Sequence, residues 1–142
     1  MDGVCFGIRM PELNEPRVEV RRQAELSDTE QTTGMDRQMA FQTEDTTMIR
    51  LQVEAGEISD WRHHGDHHIF GYLEKGRGKW EYGESDDDTV IVEEGDFWHI
   101  PPRTIHRDIN PTDEVQTAIV AIVGSGPLAI DVDGPSADPS VE

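Results

Sequence analysis

The stretch Trp61-Arg62-His63-His64-Gly65-Asp66-His67-His68-Ile69-Phe70-Gly71-Tyr72 holds four of the six histidines in the chain. The other two, His99 and His106, lie about forty residues on, in Gly95-Asp96-Phe97-Trp98-His99-Ile100-Pro101-Pro102-Arg103-Thr104-Ile105-His106. Both segments sit among short apolar or alternating runs, the pattern of β-strands. Imidazole is the commonest metal ligand among side chains. Two such segments therefore suggest a metal site built from two strands or strand ends. In an extended chain, positions 62, 64, 66 and 68 share a face, so His64 and His68 point one way and His63 and His67 the other. That face continues through Phe70 and Tyr72, an apolar wall of the kind that lines small-molecule pockets. The Gly65-Asp66 pair can bend the chain, which leaves open a shifted set using His63 or His67. His106 follows Pro101-Pro102, where a loop can deliver one more imidazole. Either Trp98 or His99 faces the same interior; apolar flanks on both sides leave the choice open.

Working outward, Thr47-Met48-Ile49-Arg50-Leu51-Gln52-Val53 alternates and reads as a strand that stops before Gly56. Further strands are expected at 69–73, 79–82, 89–92, 97–100 and 115–123, with Pro101-Pro102 ending the fifth of these six. An acidic hairpin loop is expected at 83–88. Arg17-Val18-Glu19-Val20-Arg21 also alternates and reads as a strand, while 35–41 fits strand or helix. Residues 1–16 read as an irregular arm, 128–132 as an edge strand that could serve a partner subunit, and 133–142 as a disordered acidic tail. Turn signals every eight to twelve residues predict an all-β sandwich or barrel.

Composition narrows the function. The chain of 142 residues suits one domain, and 30 acidic against 12 basic residues give a formal charge of −18. Such a surface repels nucleic acid and anionic lipid, so neither is expected as a partner. Only Lys75 and Lys79 are lysines. Acid-rich and lysine-poor is the pattern of proteins from salt-loving cytoplasms, where salt screens self-repulsion. No apolar run reaches the ~18 residues of a membrane span, and no signal-like segment opens the sequence. Cys5 is the single cysteine, which fits a reducing cytoplasm.

The two histidine segments resemble the paired motifs of the cupins, small jelly-roll β-barrels. The first motif runs Gly, five residues, His, one residue, His, three or four residues, Glu, six residues, Gly. Gly56, Arg62, His64, His68 and Gly76 follow it, with Gly76 one residue late when His68 takes the Glu position. The second runs Gly, five residues, Pro, one residue, Gly, two residues, His, three residues, Asn. Gly95, Pro101, His106 and Asn110 fall at those spacings, with Arg103 where the family prefers Gly.

The resemblance covers roughly 45–123. It implies a cupin barrel there, an N-terminal arm and first strands at 1–44 packing on it, and a C-terminal edge strand and tail at 124–142. It places the metal ligands on His64, His68 and His106, with Arg62 at the position of the first histidine, where a guanidinium cannot ligate. Three nitrogen donors suit Fe, Zn or Ni. Arg62, Phe70, Tyr72 and His99 are then candidates for contact with a small-molecule substrate. For Arg62, an inward pose holding a substrate carboxylate and an outward pose paired with an acidic neighbour are both open. Arg107 and Asp108 read as a solvated pair at the rim. The implied functions are a three-histidine dioxygenase-like enzyme or a non-catalytic binding or sensing cupin, with a homodimer as the expected assembly.

Overall fold

The computed structural model describes residues 16–83 and 88–140. The cysteine, all but the last residue of the arm expected at 1–16 and the tip of the acidic hairpin loop lie outside the described residues. A short 3-10 turn at Gln23–Glu25 precedes the strands, which are β1 (Ser27–Asp28), β2 (Met35–Gln42), β3 (Thr46–Val53), β4 (Arg62–His63), β5 (His68–Lys75), β6 (Arg77–Tyr82), β7 (Asp88–Glu93), β8 (Phe97–Ile100), β9 (His106–Ile109), β10 (Gln116–Val123) and β11 (Ile130–Asp131). They form two antiparallel sheets, β1-β2-β3-β10-β5-β8 and β11-β4-β9-β6-β7. This is a jelly roll, as the cupin resemblance implies, within the all-β sandwich or barrel class that the turn spacing predicts. No helix among the described residues is long and apolar enough to cross a membrane.

Strand alternation fixes the interior. Ile49 on β3, Ile69 and Leu73 on β5, Trp80 on β6, Val92 on β7, Ile100 on β8, and Ala118, Val120 and Ile122 on β10 form one buried cluster between the sheets. The segment 35–41 is strand, because β2 pairs with β3 from Met35↔Val53 to Gln42↔Thr47. The strand expected at Arg17–Arg21 does not form. Val18 is 95 % exposed there, and alternation without a neighbouring edge cannot satisfy a strand's backbone groups. The late strand is Ile130–Asp131, and it joins β4 of the same chain, Ile130↔His63 and Asp131↔Arg62. Instead of trailing away, the segment after it is tied back, with Arg103 Nη1 donating to the Pro139 carbonyl at 2.6 Å.

Asn110 locks the turn before β10. Its side chain is fully buried; Nδ2 reaches the carbonyls of Val53, Glu54 and Glu114, and Oδ1 accepts from Thr112 N and Oγ1. Removing it would leave several buried backbone groups without partners. The motif's asparagine is therefore structural in this chain.

Candidate functional site

The cup lies between the sheets at the end where β4, β9 and β2 meet the segments 29–32 and 128–131. Its volume is about 180 Å³. Register explains which polar side chains enter it. Arg62 on β4 stands opposite His106 on β9, and Asp108, two residues after His106, shares its face. Arg62 Nη2 donates to Asp108 Oδ2 at 2.7 Å, and both side chains are nearly buried. Arg37 enters from the inner face of β2. The two guanidinium groups rest on one sulfur: Nη2 of Arg37 and Nη2 of Arg62 lie 3.5 and 3.8 Å from Met35 Sδ.

The cup therefore holds two guanidinium groups and one buried carboxylate, with the exposed Glu30 and Asp131 also in its lining. Burial and the neighbouring Arg62 charge depress Arg37 below its ordinary value. Among the described residues Arg37 makes no ion pair; its Nη1 donates to Thr32 Oγ1 at 3.0 Å. Burial pushes Asp108 up, but Arg62, then His106 and His64, outweigh it and hold the carboxyl below its usual range.

Two histidines face this group. Their rings lie 5.0 Å apart, centroid to centroid. His64 Nδ1 donates to the Leu128 carbonyl at 2.8 Å, and His106 Nδ1 to the Thr104 carbonyl at 2.9 Å. When neutral, the His64 ring thus carries its lone pair on Nε2. Burial first, then the nearby His106, push His64 down to about 3, so it is neutral at ordinary pH. His106 Nε2 and Asp108 Oδ1 lie 3.5 Å apart, and both are buried without a hydrogen-bond partner. This ring nitrogen and carboxylate oxygen form a polar niche in the wall of the cup.

His68 is elsewhere. Gly65 takes φ 57°, a left-handed conformation, and His67 N donates to the His64 carbonyl across the turn. The chain reverses between His64 and His68, so the parity of an extended strand is lost. Along β5, Ile69, Gly71 and Leu73 point inward, and His68, Phe70 and Tyr72 point outward. His99 joins them outside: its Nε2 lies 2.9 Å from His68 Nδ1, and its ring stacks on Phe70. Of Trp98 and His99 it is Trp98 that faces the cup, together with Ile100 on the same strand. The expected set of His64, His68 and His106 is thus not assembled, and Phe70, Tyr72 and His99 do not line the cup. His63 and His67 are buried but do not line it either; His63 Nδ1 accepts from Gly65 N and His67 Nδ1 donates to the His64 carbonyl.

The spacing of the first motif carries the same correction. With four residues rather than three after His64, the Glu position falls on Ile69, and Gly76 then comes in step. Ile69 does line the cup. Of the four ligand positions the motif implies, Arg62 and Ile69 cannot bind a metal, and only His64 and His106 can. Among the described residues no group of three or more His, Cys, Asp or Glu is arranged to hold a metal ion. The donor set therefore does not fit the expected Fe, Zn or Ni centre, nor oxygen chemistry on three histidines.

Asp108 belongs to the cup rather than the rim, and the two-residue spacing from His106 is the signal that identifies it. Arg107 points out, donating to Glu81 Oε1 at 2.7 Å and lying over the Trp61 ring. Arg62 points in and pairs with an acidic neighbour, joining halves of the two poses expected of it. Arg103 sits at φ 57°, a left-handed conformation that favours glycine, which accounts for glycine at that place in the second motif.

Residues 49–135 match the family described as the cupin domain. The chain belongs to the cupin family. No curated protein matches it in sequence. Solved cupin-like structures share its fold. A double-stranded β-helix domain protein from Klebsiella pneumoniae is 12 % identical, with a TM-score of 0.63 over 75 % of this chain and 90 % of the other. KdgF from Halomonas sp. is 17 % identical, with a TM-score of 0.61 over 74 % and 94 %. The S161A mutant of Bacillus subtilis oxalate decarboxylase OxdC is 19 % identical, with a TM-score of 0.64 over 78 % of this cupin but only 31 % of that enzyme. Oxalate decarboxylase from that species is described with Mn(II) centres. At these identities the likeness is one of fold.

Proposed function

We propose that this cupin binds a small organic anion in its cup without a metal ion, as a binding or sensing protein. The observation that carries the reading is the buried charge count of the cup, where Arg37 and Arg62 share one buried carboxylate, Asp108, while the other acidic lining residues, Glu30 and Asp131, are exposed to solvent. A bound carboxylate would relieve the repulsion between the two guanidinium groups, and bidentate arginine contacts are among the stronger hydrogen bonds. Asp108 Oδ1, buried without a hydrogen-bond partner beside His106 Nε2, favours a ligand that also carries a donor, such as a hydroxy acid. In the cup, the guanidinium groups would fix the anion and Asp108 Oδ1 would orient its hydroxyl.

Titration of acetate and glycolate in the presence of chelator tests this. Glycolate should bind more tightly than acetate, and Arg37→Met should weaken both about tenfold or more. Near-stoichiometric transition metal in the untagged protein, lost in a His64→Ala, His106→Ala variant, would overturn the metal-free reading. So would binding that appears only on adding Fe(II), Zn(II) or Ni(II).

A homodimer is proposed to form through the outer face of the six-stranded sheet. Two rows cross that face, Met48-Ala121-Phe70-His99 and Arg50-Ile119-Tyr72-Phe97, and neither contains a carboxylate. Phe97 is 79 % exposed there. In a chain of charge −18, this face lets two copies meet without bringing acidic groups together. Phe97→Lys should shift the sedimentation profile to monomer, and an unchanged profile would place the contact elsewhere. The acidic surface is proposed to favour high salt, so the melting temperature should rise with added KCl.

A further inference from the structure

A second hollow, of about 340 Å³, opens between β7 and β8, the outermost strands of the two sheets. Val90 and Val92 line it from one side and Ile100 from the other. Four residues, Trp80, Trp98, Ile100 and His106, line both this crevice and the cup. The two spaces are therefore neighbours across a wall of side chains. The indoles of Trp80 and Trp98 lie 4.7 Å apart at 41° in that wall. Each is seated over a glycine: a Cβ on Gly71 would overlap Trp98, and one on Gly78 would overlap Trp80. The outer end of the crevice is open, with Val90 39 % and Tyr82 36 % exposed. At the inner end stands His106, whose Nε2 is buried without a hydrogen bond.

We infer that cup and crevice form one divided site for an amphipathic ligand, a carboxylic acid whose polar head occupies the cup and whose apolar chain or ring lies past Trp80 and Trp98 in the crevice. The inference rests on the anion-binding reading of the cup and adds the class of ligand to it. A hydrophilic anion would leave the crevice walls in contact with water, whereas an alkyl or aryl group would cover Val90, Val92 and the indole faces. Each methylene so buried contributes about fourfold in affinity. His106 sits where head and tail would join, lining both spaces.

Acetate, butyrate and hexanoate, titrated into ¹⁵N-labelled full-length protein in high salt with chelator, separate the possibilities. The three tryptophan indole N–H signals serve as reporters, with Trp61, which packs under Arg107, as the internal control. Hexanoate should bind at least tenfold more tightly than acetate and shift Trp80 and Trp98 but not Trp61. Val90→Trp, at a half-exposed position, and Val92→Phe, deeper in, should each return hexanoate to the affinity of acetate. Equal affinities for the three acids, all weakened by Arg37→Met, would overturn the crevice while leaving the cup reading intact. A hexanoate advantage that survives both crevice variants would do the same. If none of the acids binds, or if Arg37→Met changes nothing, the cup reading falls and this inference with it.

Discussion

His64 and His68 are four residues apart and have opposite surroundings. His64 sits in the cup beside His106, Arg62 and Asp108, with its Nδ1 tied to Leu128 and its charged form suppressed. His68 sits on the outer face of the six-stranded sheet, pairing with His99 and stacking beside Phe70. One imidazole pair belongs to a buried network of fixed charges, the other to an exposed aromatic surface. The difference teaches that a run of histidines is not a single chemical unit. The backbone between them, bent at Gly65, decides which ring meets which field.

Substitutions that break this contrast should differ widely in cost. Arg62→Ala removes the partner of a buried carboxylate and should cost about 3–5 kcal/mol of unfolding free energy, measured by urea denaturation. A loss below 1 kcal/mol would mean the pair is solvated. Next comes the pH response of His64. Its folded value, about 3, lies below the ordinary histidine value near 6.5. Above the unfolded value neither state takes the proton and the native state is undiminished. As pH falls from about 6.5 towards 3, the unfolded chain takes it and the folded chain does not, so stability declines by up to about 1.4 kcal/mol per pH unit. The depressed value of Asp108 acts lower, below its unfolded value near 3.8, where protonation removes the stability its ionised form contributes. His64→Asn should flatten the decline between pH 6 and 4; equal slopes in the two proteins would place His64 in solvent.

Arg103→Gly is expected to move stability by no more than about 1 kcal/mol. Relief of the left-handed backbone is offset by the lost contacts to Asp66 and Pro139 and by a freer unfolded chain. Its clear signature should be faster amide exchange in residues 133–140, and unchanged exchange there would show that the tail is held by something else. The smallest effects should come from the outer pair. His68→Ala or His99→Ala should leave stability within about 0.5 kcal/mol, and His68→Ala should leave carboxylate affinity unchanged. A tenfold loss of affinity in His68→Ala would bring that face back into the site.

Much of the fold was legible because alternation reports burial directly. The runs 47–53, 97–100 and 115–123 correspond to β3, β8 and β10 almost residue for residue. Arg17–Arg21 has the same local pattern but no strand beside it, and pairing cannot be read from one segment alone. In the site, Arg62, His64 and His106 were legible from motif spacing. Their neighbours His68, Phe70 and Tyr72 were assigned to the cup by a parity that holds only while the chain stays extended, and the turn at Gly65 cancels it. Asp108 was legible by that same parity from His106, yet beside Arg107 it reads as half of a surface pair. Arg37 carried no sequence signal, since its role depends on β2 crossing the sheet beside β3.

The last strand, β11, carries a consequence for how the protein is made. It seats on β4, and the carbonyl that fixes His64 comes from Leu128, just before it. Every other strand among the described residues leaves the ribosome earlier. During synthesis the barrel can therefore close around its core while the cup still lacks a wall. The proposed binding site would therefore be completed only after the core strands have paired, once this segment has emerged.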